Sequence, residues 1–394
     1  TTEIYTLSLH DALPICSFYV LDDYSPLRTA TPEALAKEAE IFPVKDALIF
    51  QLDDSRNRDH MGETVYNAEN PPYGATITYY LKESIKTKKE LRKEKEKEAS
   101  KSDKKEKEKE KDKDKDKKSG EIANKDYIYP TQDELKAEDE EEKPYLVFTI
   151  TDADSNVVRR LTAPATKGIG RITWDLSYPS AYPVSDKTYP NKNGGLPTYP
   201  GTYKVTMSKV INGVDTQIAG PVQFNTKTLN NKTLPAKDPA DVFAFQKKII
   251  NMQRALTGTN STFSETTKRA NLIETALVNT PGANSSLMAK IKGIQKRLGT
   301  MKDRLYGDNS RSKRNEGQPP TINERLEYII WGSMTSSDVP QTFIDQYKIV
   351  SAEFKPLLDE LKQIINTELK AIEDEMEKLG SPWTPGRLPD WQPE

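Results

Sequence analysis

The chain has 394 residues, 58 basic and 60 acidic side chains, two histidines and a single cysteine, for a net charge of −2. One cysteine excludes an internal disulfide. No stretch approaches the ~18 uninterrupted apolar residues of a transmembrane helix, and the length suits two or three domains.

The first segment, TTEIYTLSLHDALPI (Thr1 to Ile15), resembles the in-frame translation of an adapter used in short-read library preparation, with Cys16 at the junction. Residues 1–16 are therefore set aside before fold reasoning, and native sequence is expected to start near Ser17, inside a longer gene. This removes His10 and Cys16. A Cys/His zinc site then has no ligand set, and a cysteine nucleophile is excluded. The remaining histidine, His60, lies in the polar run DDSRNRDHMGE. An exposed loop is expected there, because a catalytic imidazole needs an orienting partner and a nearby nucleophile.

Strand patterning follows. In NPPYGATITYYLKE, Ala75, Ile77, Tyr79 and Leu81 alternate with Thr76, Thr78, Tyr80 and Lys82. In PYLVFTITDADSNVVRRLTAP, Leu146, Phe148 and Ile150 share one face, before a polar turn at Asp152 to Asn156. Ile172 and Trp174, and then Tyr203, Val205 and Met207, continue the period of two. Asn212-Gly213 is a hairpin signal, since both residues tolerate positive φ. Between the first two runs, Lys86 to Lys118 is almost entirely Lys, Glu and Asp, and 133–142 is acidic. Such a run buries too little apolar surface to offset chain entropy, so 83–143 is expected to be a disordered loop between neighbouring strands or, at most, a fluctuating solvated helix supported by Glu-to-Lys spacings of three and four. Its interleaved signs cancel most of its field beyond a Debye length, and no nucleic-acid partner is expected.

From Asp238 the period becomes helical. Asp238 precedes Pro239 as an N-cap, and Val242, Phe245, Ile249, Met252 and Leu256 recur at spacings of three and four. Further helices are expected over Ser264 to Val278, Ser286 to Tyr306 and Thr321 to Met334. A last one should run from Val339 to Leu379, kinked or divided at Pro356 and capped by Gly380. The expected fold class is α+β multidomain. An Ig-like antiparallel β-sandwich (46–235) with a disordered Lys/Glu insertion would precede an α-helical bundle (236–380) and a tail (381–394).

Three stretches together resemble a family. SFYVLDDYSPLR is similar to the last propeller strand of bacterial sortilin-like, BNR-repeat β-propeller proteins, often described as glycosyl-hydrolase-like. NPPYGATITYYLKE with TITDADSNVVRRLTAP, GRITWDLSYP and PGTYKVTM resembles the Ig-like sandwich that follows such propellers. GSPWTPGRLPDW resembles the C-terminal helical region of the same proteins. The resemblance implies that 17–45 is a propeller remnant and linker, that the upstream propeller is a partner, and that the protein is extracellular or periplasmic. It carries no enzymatic residue onto this chain.

Candidate sites have bland alternatives. Asp152, Asp154 and Asn156 start like a calcium loop, yet Val157 and Ala163 stand where an EF-hand needs glycine and glutamate, so a hairpin turn is expected. Trp174-Asp175 could form a sugar platform and an acid, or a core aromatic and a turn. Gly168 and Gly170 lack the rest of a dinucleotide fingerprint. The loop 178–199 carries Tyr182, Tyr189 and Tyr199, which could bind carbohydrate or protein by stacking. The alternative is a rigid loop packed against the sandwich or the absent propeller. The leading expectation is a non-catalytic accessory region without cofactor or metal. A binding module on the tyrosine loop, and a hydrolase with its site between sandwich and bundle, are the alternatives.

Overall fold

A computed structural model describes residues 23–50, 71–97, 130–184, 195–229, 234, 236–333 and 337–391. The structure is of mixed α and β type and divides into two compact units: Thr1–Tyr178 with Pro200–Leu229, and Pro179–Tyr199 with Asn230–Glu394.

In the first unit the alternating runs pair into two sheets. A three-stranded antiparallel sheet has the order β1 (Ala39–Ile41), β3 (Ala75–Leu81), β6 (Gly168–Trp174). A five-stranded sheet has the order β2 (Ala47–Ile49), β8 (Val214–Thr228), β7 (Gly201–Ile211), β4 (Tyr145–Thr151), β5 (Val157–Pro164). In this sheet β2 alone runs parallel to its neighbour. The larger sheet curls into a half-barrel, and register shifts in β4 and β7 add to the bend. Ile77, Tyr79 and Leu81 from one sheet share a core with Phe148, Ile150, Val205 and Met207 from the other. Burying each such side chain contributes about 1.5–3 kcal/mol. Asn212 and Gly213 take φ of 50° and 76° in a two-residue turn between Ile211 and Val214, as the sequence predicts.

Two expectations change here. The segment 39–45 is not a linker: β1 pairs with β3, Phe42 is buried, and the chain then crosses to the other sheet to form β2. The charged insertion joins β3 and β4, which lie in different sheets of the same unit rather than side by side. Its described ends are also not disordered. They form α2 (88–97) and α3 (Gln132–Asp139), the latter with a Thr131–Glu134 capping box. Composition allows at most a fluctuating helix because neither end has an apolar stripe, but each supplies charges that the other lacks. The strand expected over 17–21 and His60 lie outside the described residues.

The second unit is built on α4 (Pro239–Val278), 40 residues long and about 60 Å at 1.5 Å per residue. Asp238 caps it, accepting from the Ala240 N–H at 2.8 Å. Two separate helices are expected from the sequence, the second over Ser264 to Val278. The structure joins them. Leu256, Thr259, Phe263, Thr266 and Ala270 keep the buried stripe at spacings of three and four. The hydroxyls of Thr257, Thr259, Thr266 and Thr267 donate to carbonyls four residues back, so the polar stretch satisfies itself within the helix.

The remaining helices line up along this rod. Lys292–Glu274 and Gln295–Asn271 contacts place α5 (Ser285–Tyr306) antiparallel to the second half of α4. Gln246–Ser333 and Asn260–Asn323 contacts place α7 (Ile322–Ser333) antiparallel to the first half. The carbonyl of Leu305 accepts from Asn323, so α5 and α7 together form one interrupted rod. A third rod, α8 (Gln341–Gln363), a π-helical segment (Ile364–Leu369) and α9 (Lys370–Lys378), runs parallel to α4, as the Phe245–Tyr347 and Arg269–Glu373 contacts show. Pro356 does not divide this rod; the departure from α geometry comes later, at the π segment. Gly380, at φ +64°, ends it, and the Ser381 N–H donates to the Met376 carbonyl across the cap.

Candidate functional site

The tyrosine-rich loop belongs with the helices. The Thr257 hydroxyl, on α4, lies 3.2 Å from the Ala181 carbonyl, and Leu196 and Thr198 are buried. Tyr199 packs its ring 5.5 Å from that of Phe243. Tyr182 is 59% exposed, and Tyr189 lies outside the described residues. The three tyrosines therefore do not share one role: Tyr199 anchors the loop to α4, while Tyr182 is free to meet solvent. The described ends of the loop, 179–184 and 195–199, pack on α4 through Ala181 and Tyr199.

The other sequence candidates resolve into structure. The Asp152 carboxylate accepts from the N–H groups of Asp154 (3.1 Å) and Asn156 (2.8 Å) and from the Asn156 side-chain amide (3.1 Å). Its oxygens serve the β4–β5 turn. Trp174 is fully buried against Tyr203 and Phe224 and donates its indole N–H to the Ser177 carbonyl at 3.0 Å. Asp175 accepts from the N–H and hydroxyl of Ser177 and so opens the turn. Gly170 faces Tyr79 across the sheet, where an added Cβ would meet the tyrosine ring at 2.3 Å. Close packing accounts for this glycine without a nucleotide.

An open cleft of about 490 Å³ lies beside β3 in the first unit. Leu81, Ile85 and Ile211 line it, with Lys82, Glu38 and Glu83 at its edges. Its carboxylates are engaged: Glu38 pairs with Lys209 at 2.5 Å and Glu83 with Lys167 at 3.9 Å. That arrangement offers apolar contact and charge but no pair of carboxyl groups free for acid–base work. Among the described residues no group of three or more His, Cys, Asp or Glu could hold a metal ion, and no helix is long and apolar enough to cross a membrane.

The C-terminal tail shows an organisation that sequence reading missed. Arg387, its side chain 5% exposed, reaches back to Glu377 and to the carbonyls of Ser381 and Pro382. Its own carbonyl accepts the Trp383 indole N–H at 2.9 Å. This clamp fixes a proline-rich segment that leaves Trp383, Leu388 and Trp391 exposed. Only the spacing of Arg387 from Glu377 could have hinted at it. The Asp390 N–H, followed by Arg387, holds the Glu377 carboxyl below its ordinary range. A lowered folded-state pKa contributes stability that is present above the ordinary carboxylate range and lost as pH falls through the folded value. The tail should therefore release in acid. The indole N–H resonance of Trp383 is expected to move to its solvent-exposed position as pH falls through and below the usual glutamate range. In Glu377→Gln it should already have moved at neutral pH. A resonance unchanged in that variant would refute the clamp.

Compared with protein-family models, curated proteins and solved structures, the chain matches none.

Proposed function

We propose that this chain is a non-catalytic accessory region of a secreted, propeller-type, glycosyl-hydrolase-like protein. In this reading it consists of an immunoglobulin-like β-sandwich followed by a helix bundle, which orient or buttress an upstream propeller. The observation that carries the reading is the strand order. Strands β1, β3 and β6 adjoin as A, B and E do in the immunoglobulin fold, and β8, β7, β4 and β5 reproduce the order G, F, C, C′. The first strand is split between the two sheets. The three aligned rods of the second unit support the bundle. Support for a non-catalytic role comes from electrostatics. The Asp46, Glu274 and Asp345 carboxyls are each held below the ordinary range by hydrogen bonds and ion pairs. A general acid requires the opposite. The purified chain is therefore expected to show no glycoside or peptide hydrolysis dependent on its own carboxylates. Turnover abolished by replacing one of them would overturn the proposal.

The exposure of Tyr182 favours a second reading, a carbohydrate- or protein-binding module. Its test is ligand binding that disappears on Tyr182→Ala and Tyr189→Ala.

A further inference from the structure

The helices α2 and α3 are held together by charge. The sequence KTKKELRKEKEK (86–97) carries seven cations and three anions, whereas QDELKAEDEEE (132–142) carries seven anions and one cation. Their contacts follow that complementarity. Arg92 makes a bidentate pair with Glu138 (Nε–Oε1 2.7 Å, Nη2–Oε2 2.8 Å) and a third bond to Glu96 at 2.5 Å. Lys89 pairs with Asp139 at 2.7 Å, and the Lys88 backbone N–H donates to Glu141 at 2.6 Å. The single buried side chain of α3 is Glu138, and Leu135, one turn before it, is only partly buried. Leu91, the apolar residue of α2, is 46% exposed and faces the cleft beside β3.

We propose that α2 and α3 form an electrostatic clasp, closed at low ionic strength and opened by salt, that joins and releases the two roots of the charged insertion. Lys89–Asp139 is exposed and strongly screened, Arg92–Glu138 is only partly buried, and no buried apolar side chain of either helix backs them. Opening presents a basic and an acidic segment separately.

The test uses the full chain with Cys16→Ser and spin labels at Lys93→Cys and Ala137→Cys, both exposed positions. The distance distribution is read as salt rises from about 0.01 to about 1 M, which shortens the Debye length from ~30 to ~3 Å. A short-distance peak at low salt that is lost at high salt is expected. Arg92→Glu should lose the peak at low salt, as should Glu138→Arg, and the double exchange should restore it. A peak indifferent to salt, or a double exchange that fails to restore it while circular dichroism shows the strand unit folded, would overturn the clasp.

Discussion

Replacing Trp174 by alanine should destabilise the strand unit by about 3–5 kcal/mol, the usual cost of deleting a buried large aromatic. The magnitude follows from its surroundings. The indole is fully buried, with the Tyr203 ring centroid at 5.2 Å and that of Phe224 at 6.1 Å, so truncation leaves an apolar cavity lined from both β7 and β8. It also orphans the Ser177 carbonyl, which accepts the indole N–H in the β6 exit turn. Trp174→Phe keeps most of the volume and loses the hydrogen bond, so a smaller loss is expected. Urea unfolding followed by hydrogen exchange resolves the effect, because amides of β7 and β8 report this unit alone. Equal stability in wild type and Trp174→Ala would remove Trp174 from the centre of the core.

Features set by neighbouring residues were the ones legible in the sequence. The alternation of Leu146, Phe148 and Ile150, the Asn212-Gly213 turn, the Asp238 cap and the Gly380 terminus each depend on contacts within a few residues. The same holds for the Asp152 turn, whose carboxylate bonds lie within four positions. What escaped depends on distant partners. Strands β1 and β2 have three residues each, too few to show a period, and their assignment to opposite sheets is decided by β3 and β8. The continuity of α4 was hidden because its middle buries threonines, whose hydroxyls return to the helix's own carbonyls. The pairing of the helices that flank the charged insertion was hidden for a related reason: the stabilising partner of Arg92 lies 46 residues away. The described ends of the tyrosine loop pack on α4, a partner that no local pattern identifies.

Removing the Arg269 guanidinium is expected to destabilise the helical unit by an amount comparable to a core truncation. Arg269, on α4, donates from Nε to Glu373 Oε1 at 2.6 Å and from Nη2 to the other carboxylate oxygen. Glu373 is 5% exposed on α9, so it has almost no access to water if the arginine is lost. Above the pair lies Gly386, at φ +98°, so close that an added Cβ would sit 2.7 Å from Arg269 Cζ. The guanidinium thus connects α4, α9 and the C-terminal tail. Breaking a buried pair from one side costs roughly 3–5 kcal/mol, and the partial exposure of Arg269 places Arg269→Ala near ~3 kcal/mol. For a unit of this size that corresponds to a fall in Tm of about 6–12 °C. The energetic reason is the stranded carboxylate rather than the lost attraction. Replacing both partners, as in Arg269→Met with Glu373→Leu, should therefore recover most of the loss. Calorimetry of wild type, Arg269→Ala and the double variant decides the matter. A double variant no more stable than Arg269→Ala would mean that the pair supplies net binding energy to the three elements, not merely mutual neutralisation.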